Sequence, residues 1–260
     1  MRNSLSYLFS ILGNGAPVCA ESEDLFGFEQ VPNPFQYEQA DLDFIAGFFS
    51  SGFNLDGLEE PARSFFELSV NAFGAFVHAW MSELPIETEI AGFGRRVIKA
   101  AEACRGGMEE KRRAAETAAC DRGEADTLAV LNAAFKVQHE IDRMTGLLRF
   151  SPNSHGVYIA RFAPDFLVLP ALGEYFTARF GETAWQIIDE KRSLCLRRRA
   201  GERPILFKKE KSPRESAGEG DEWEDLWRLY HKTINNESRN NPALQRQFMP
   251  KRHWKYLPEM

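Results

Sequence analysis

The chain has 260 residues, 43% hydrophobic and 27% charged, a balance that can bury a core and excludes a disordered tail or a fibre. Its formal net charge of −6, from 32 Lys and Arg against 38 Asp and Glu, hides an asymmetry. Residues 1–91 hold only Arg2 and Arg63 against 14 carboxylates, so the remaining 30 bases and 24 acids give residues 92–260 a positive balance suited to a polyanionic partner.

Near the start, Arg2 precedes an apolar stretch from Leu5 to Leu12, which reads as a secretory signal or, better, as a short N-terminal strand or helix tucked onto the domain. Up to residue 57 acids alternate irregularly with aromatics such as Phe26, Phe44 and Phe48, and no period is strong enough to assign an element. From Leu58 the stripe Phe65, Leu68, Ala72, Phe76 and Ala79 predicts one helix with Pro61 in its first turn. A second helix is expected over 86–104 and an exposed one over 108–122. From Asp126 two stripes, Leu128, Leu131, Phe135 and Val130, Ala134, Val137, Ile141, predict a helix facing the core over a wide arc.

After Gly146 the period becomes two. Leu147–Phe150 and Val157–Phe162 flank a turn and predict a hairpin, and Asp165 is placed to cap a helix with the stripe Leu169, Leu172, Phe176 and Phe180. Strands are expected at 185–189, 193–199 and 204–207, followed by a mobile loop over 208–221 and a helix from Glu222 with Trp223, Leu226, Trp227 and Tyr230 on its buried side. The expectation is an α+β fold: an irregular acidic segment over 1–57, then a domain over 58–260. In that domain helices (58–145) pack on a small antiparallel strand–strand–helix–strand–strand sheet (146–207), and a helix and basic tail (222–260) follow.

Phosphate-loop, dinucleotide, zinc-protease and serine-hydrolase motifs are missing from the sequence. Cys19, Cys104, Cys120 and Cys195 lack the spacing of a metal knuckle or an iron–sulfur motif, and the five histidines are scattered. The expectation is a cytoplasmic protein with no metal and no cofactor. Val70–Met81 is only about half the roughly 20 apolar residues a bilayer requires.

Two titratable clusters stand out. His139, Glu140, Asp142 and Arg143, with Arg149 beyond, suit acid–base work or, more simply, a solvated ion-pair cluster closing a helix. Asp189, Glu190, Lys191 and Arg192 offer a carboxylate at the edge of an apolar surface, a structural partner for Arg149 or Arg192 before it is a catalyst. Basicity is the third feature: residues 191–214 hold ten Lys or Arg against Glu202 and Glu210. The tail RNNPALQRQFMPKRHWKYLPE interleaves bases with aromatics, which suits phosphate contacts with base stacking, or packing of the aromatics on the domain with the bases solvated.

The stretches HEIDRMTGLLRF (139–150), LVLPALGEYFTARF (167–180), WQIIDEKR (185–192) and SRNNPALQRQFMPKRHWKYLPEM (238–260) resemble a bacterial family of probable DNA metabolism proteins. Its members occur beside a radical-SAM protein and are in places fused to a uracil-DNA-glycosylase-type domain. The resemblance implies a linking component of DNA repair or modification without a glycosylase domain or cluster motif of its own. Asp142, Phe166 and Tyr175 stand where that family carries histidines, which puts any histidine site in doubt here.

The leading expectation is a DNA-binding accessory protein, with Arg239, Asn241, Gln245, Arg246, Lys251, Arg252 and Lys255 at the nucleic acid and Trp254 or Tyr256 stacking. One alternative is an enzyme acting on a base or nucleotide, with Glu140, Asp142 or Asp189 as acid or base and Arg143, Arg149 or Arg192 holding an anion. The other is a protein-interaction module. The acidic segment 1–57 is further expected to compete with nucleic acid for the basic tail.

Overall fold

The computed structural model describes residues 4–12, 37–51, 53, 55, 58, 60–208, 222–234 and 241–257. The loop expected over 208–221, apart from Lys208, and Arg239 lie outside them. By internal contacts the chain forms two compact units, residues 1–48 with 52–139, and residues 49–51 with 140–260.

The first unit is helical, and the aperiodic N-terminal segment supplies part of its core. Helix α1 (Leu5–Ser10) buries Leu5, Leu8 and Phe9, and α2 (Gln39–Phe48) buries Asp41, Leu42 and Ile45. Asp41 Oδ1 accepts from the N–H groups of Leu5 (3.1 Å) and Ser6 (3.3 Å), so a carboxylate from a later helix satisfies donors that α1 leaves open at its start. Phe9 stacks on Phe73 and Phe76 with centroids 5.2 and 5.1 Å apart.

The single helix expected from Leu58 is instead two, α3 (Ala62–Leu68) and α4 (Val70–Met81). Ser69 between them is extended (φ −158°, ψ 106°); its Oγ accepts from Ala72 N–H at 2.9 Å and donates to Glu116 at 2.6 Å. A buried serine acting as an N-cap outweighs the continuous stripe. Helices α5 (Glu87–Ala103) and α6 (Met108–Cys120) follow, and α6 turns only the small Ala115 and Ala119 fully inward. Arg96 grips Asp126, on α7 (Ala125–Leu147), through both carboxylate oxygens at 2.9 and 2.8 Å. Of the two stripes expected on α7, the one through Val130, Val137 and Ile141 is buried. The other is not: Leu128 is exposed and Phe135 is 73% exposed.

The second unit carries a five-stranded sheet in the order β1-β2-β3-β4-β5: β1 (Ser151–Pro152), β2 (Tyr158–Phe162), β3 (Trp185–Asp189), β4 (Leu194–Arg198) and β5 (Ile205–Lys208). The first hairpin strand is shifted from its expected place, because α7 runs on to Leu147 and pairing begins at Ser151. Asn153 Oδ1 accepts from His155 and Val157 N–H, and Gly156 takes a left-handed φ of +74°, which closes the turn.

The sheet is mixed rather than wholly antiparallel. Between β2 and β3 the chain crosses over through a 3₁₀ turn (Leu169–Leu172) and α8 (Gly173–Phe180), which leaves β2 and β3 parallel while the other pairs are antiparallel. Ala160, Phe162, Trp185, Ile187, Leu196 and Leu206 form the buried sheet face; Phe176 of α8 meets Trp185 edge to face. Helix α9 (Glu222–Ile234) leaves Leu226 and Tyr230 exposed, contrary to the expected burial, and α10 (Pro242–Phe248) and a 3₁₀ turn (Lys251–Tyr256) complete the described chain.

Candidate functional site

Both titratable clusters act on one short segment, Ala163–Phe166, between β2 and the 3₁₀ turn. From α7, Glu140 is almost fully buried; its Oε1 accepts from Asp165 N–H at 3.0 Å and its Oε2 from Phe166 N–H at 2.8 Å. Burial raises the Glu140 pKa against the opposing pull of those two bonds. On the other side, Asp189 and Arg192 form an ion pair at 2.9 Å with both side chains wholly buried. Asp189 Oδ1 also accepts from the Lys191 and Arg192 N–H groups at the β3–β4 turn. The Arg192 guanidinium goes on to donate to Pro164 O (3.2 Å) and Asp165 O (2.8 Å), and Lys191 Nζ donates to Asp165 O at 2.7 Å.

Asp165 is therefore not a helix cap. Its backbone is held from two sides, and its side chain, together with Glu140, receives the tail: Arg252 Nη2 lies 2.6 Å from Asp165 Oδ2 and 3.6 Å from Glu140 Oε1. Beside it, His253 is buried and its Nε2 accepts from Arg252 Nε at 3.2 Å, which fixes a neutral ring with the proton on Nδ1. Burial first, then the nearby Arg252, pushes the His253 pKa down to about 4.

A second anchor is Glu190, which accepts from Tyr256 OH at 2.8 Å and sits 3.9 Å from both Lys255 Nζ and Arg161 Nη1. Burial, then the bond to Glu190, raises the Tyr256 phenol well above its ordinary pKa. Trp254 Nε1 donates to Met249 O at 2.8 Å, and Asn241 Oδ1 caps α10 by accepting from Leu244 N–H.

The residues singled out in the sequence thus separate. Glu140, Asp189, Arg192, Arg252 and Tyr256 hold the segment and the tail. Arg246, Lys251 and Lys255 stay exposed, with Lys251 Nζ 5.8 Å from the Trp254 ring and Lys255 Nζ 4.5 Å from the Tyr256 ring; Gln245 is half-buried on α10. Asp142 and His139 are exposed, His139 stacking on Phe135, while Arg143 is half-buried near His253 and Arg149 donates to Gly146 O at 2.8 Å in the last turn of α7. Phe166 meets Glu140 through its backbone, and Tyr175 is exposed on α8. The lone pairs of Glu140 and Asp189 go to backbone and guanidinium donors, which suits clamping better than proton transfer. Asp165 and Glu190 as tail anchors were missed, since only the fold brings them to Arg252 and Tyr256.

Among the described residues no group of three or more His, Cys, Asp or Glu could hold a metal ion, and no helix is long and apolar enough to cross a membrane. A family model described as a domain of unknown function, DUF4130, matches residues 104–259. No curated protein and no solved structure matched the chain.

Proposed function

We propose, for a chain that belongs to the DUF4130 family of domains of unknown function, the role of a nucleic-acid-binding accessory protein in DNA repair or modification. It would work beside a radical-SAM or uracil-DNA-glycosylase-type protein. One observation carries the binding half: the basic tail is fastened by Arg252 and Tyr256 to Asp165, Glu140 and Glu190, and this presents the exposed cations Arg246, Lys251 and Lys255 from a fixed base. The partner half rests on the resemblance of residues 238–260. It is favoured by α9, whose Leu226, Leu229, Tyr230 and Ile234 are exposed on one helical face.

Three phosphate contacts predict that duplex affinity falls about 40-fold between about 50 and 200 mM salt. Gel shifts at the two concentrations measure this, and replacing Arg246, Lys251 and Lys255 together by alanine should abolish most of the salt dependence. Arg252 is unsuitable for this test, because its removal also frees Asp165 and Glu140. Absence of binding at the lower salt refutes the proposal.

A further inference from the structure

One face of the sheet is buried, and the other is open along a cross-strand row. Register aligns Ile159, Gln186, Arg197 and Ile205 from β2 to β5. The first two are half-buried and the last two exposed, whereas the row behind them on the opposite face, Ala160, Ile187, Leu196 and Leu206, is wholly buried. The next row on the same face runs Arg161, Ile188, Cys195, Phe207; its two ends are half-buried and Ile188 and Cys195 between them are buried, so the exposed part of the face follows the first row and the Phe207 edge. The Arg197 guanidinium lies over the Phe207 ring at 5.0 Å. Neither row contains an acidic residue, and Arg199 and Arg203 are exposed on the β4–β5 connection.

We infer that this open face binds a single strand of nucleic acid, with bases stacked on Arg197, Phe207 and Ile205; the inference rests on the nucleic-acid reading above and adds the form of the ligand. A guanidinium plane backed by an aromatic ring presents a flat, cationic outer surface to a base. Flanking Arg197 in the row, the exposed apolar Ile205 on one side and the half-buried Gln186 on the other supply the mixture of apolar contact and hydrogen bonding that unpaired bases require, whereas a duplex hides its base faces. Charge complementarity selects the occupant, because the two rows carry Arg161 and Arg197 and no carboxylate of their own, and the β4–β5 connection adds Arg199 and Arg203 against Glu202. The face is also continuous with the tail: Arg161, in the second row, meets Glu190, the residue that holds Lys255 and Tyr256. A strand following the first row from Arg197 past Gln186 reaches β2, whose Arg161 shares Glu190 with the tail cation Lys255.

Fluorescence anisotropy on the full chain, with a labelled oligothymidylate and a duplex of equal length, tests this. Phe207→Ala and Arg197→Gln should each weaken single-strand binding about ten-fold or more and change duplex binding less than about two-fold. The tail pair Arg246→Ala, Lys251→Ala should weaken both ligands. Phe207 is half-buried, so a thermal melt accompanies that variant; the exposed Arg197→Gln decides the matter if Phe207→Ala does not fold. If the wild-type chain binds both ligands but Arg197→Gln leaves single-strand affinity unchanged, the sheet is not the platform, and the tail reading survives. If the wild-type chain binds neither ligand, both readings fall.

Discussion

Replacing Arg192 by alanine tests whether the buried pair holds the second unit together. The Asp189 and Arg192 side chains are wholly buried, and the guanidinium donates to Asp189 Oδ2, Pro164 O and Asp165 O. Removing it leaves a buried carboxylate without its counter-charge and takes a donor from two carbonyls. Breaking one side of a buried pair costs about 3–5 kcal/mol, and each orphaned acceptor contributes roughly 1–3 kcal/mol within that loss. Urea unfolding followed by circular dichroism should show a stability loss of about 3–5 kcal/mol for Arg192→Ala. Asp189→Asn keeps an acceptor for the Lys191 and Arg192 N–H groups but strands the guanidinium charge, so its loss should be smaller yet above about 1 kcal/mol. If both variants stay within about 1 kcal/mol of wild type, the clamp on residues 163–166 does not hold the unit.

Two further outcomes concern titration and packing. The folded-state pKa of His253, about 4, lies below its ordinary 6.5, so the folded state binds fewer protons between those values; the stability this group contributes is full above pH 6.5 and is lost as pH falls toward 4. Melting temperatures across that window should fall less steeply for His253→Gln, and an unchanged slope would count against a buried neutral ring. Phe73→Ala, which empties the ring cluster around Phe9, should cost about 3–5 kcal/mol, whereas the exposed Phe135→Ala should cost less than about 0.5 kcal/mol in the same denaturant series.

Long amphipathic helices were legible in the sequence because many turns repeat the pattern, as in α5 and α7. Helix α1, with six residues, spans too few turns to show a period, and its capping carboxylate comes from Asp41, far along the chain. At Ser69 the stripe continues through a real break, since hydrophobic spacing is blind to a local cap. On α7 the outward stripe is as apolar as the inward one, and only packing distinguishes Phe135 from Val137. The parallel β2–β3 pair could have been read from the helix between the strands, because a crossover reverses the direction that a hairpin would impose. Within the site, the local pairing of Asp189 with Arg192 was among the expected structural partners. The joining of Arg252 to Asp165 and Glu140 depends on contacts distant in sequence.

The placement of α1 also reverses synthesis and packing order. Phe9 rests on Phe73 and Phe76, and Leu12 fills a notch at Gly94 where a Cβ would come within 2.6 Å of its side chain. At about 5–20 residues per second, the ribosome takes roughly 3–13 s after making Phe9 to deliver Phe73 and Phe76, and longer for Gly94. During that interval Leu5, Leu8 and Phe9 have at most the α2 side of their native seat and form an apolar peptide of the kind chaperones hold. Cutting away the acidic segment to unmask the tail would remove these core side chains as well. Helix α1 belongs to a core that closes only after α5 has been synthesised.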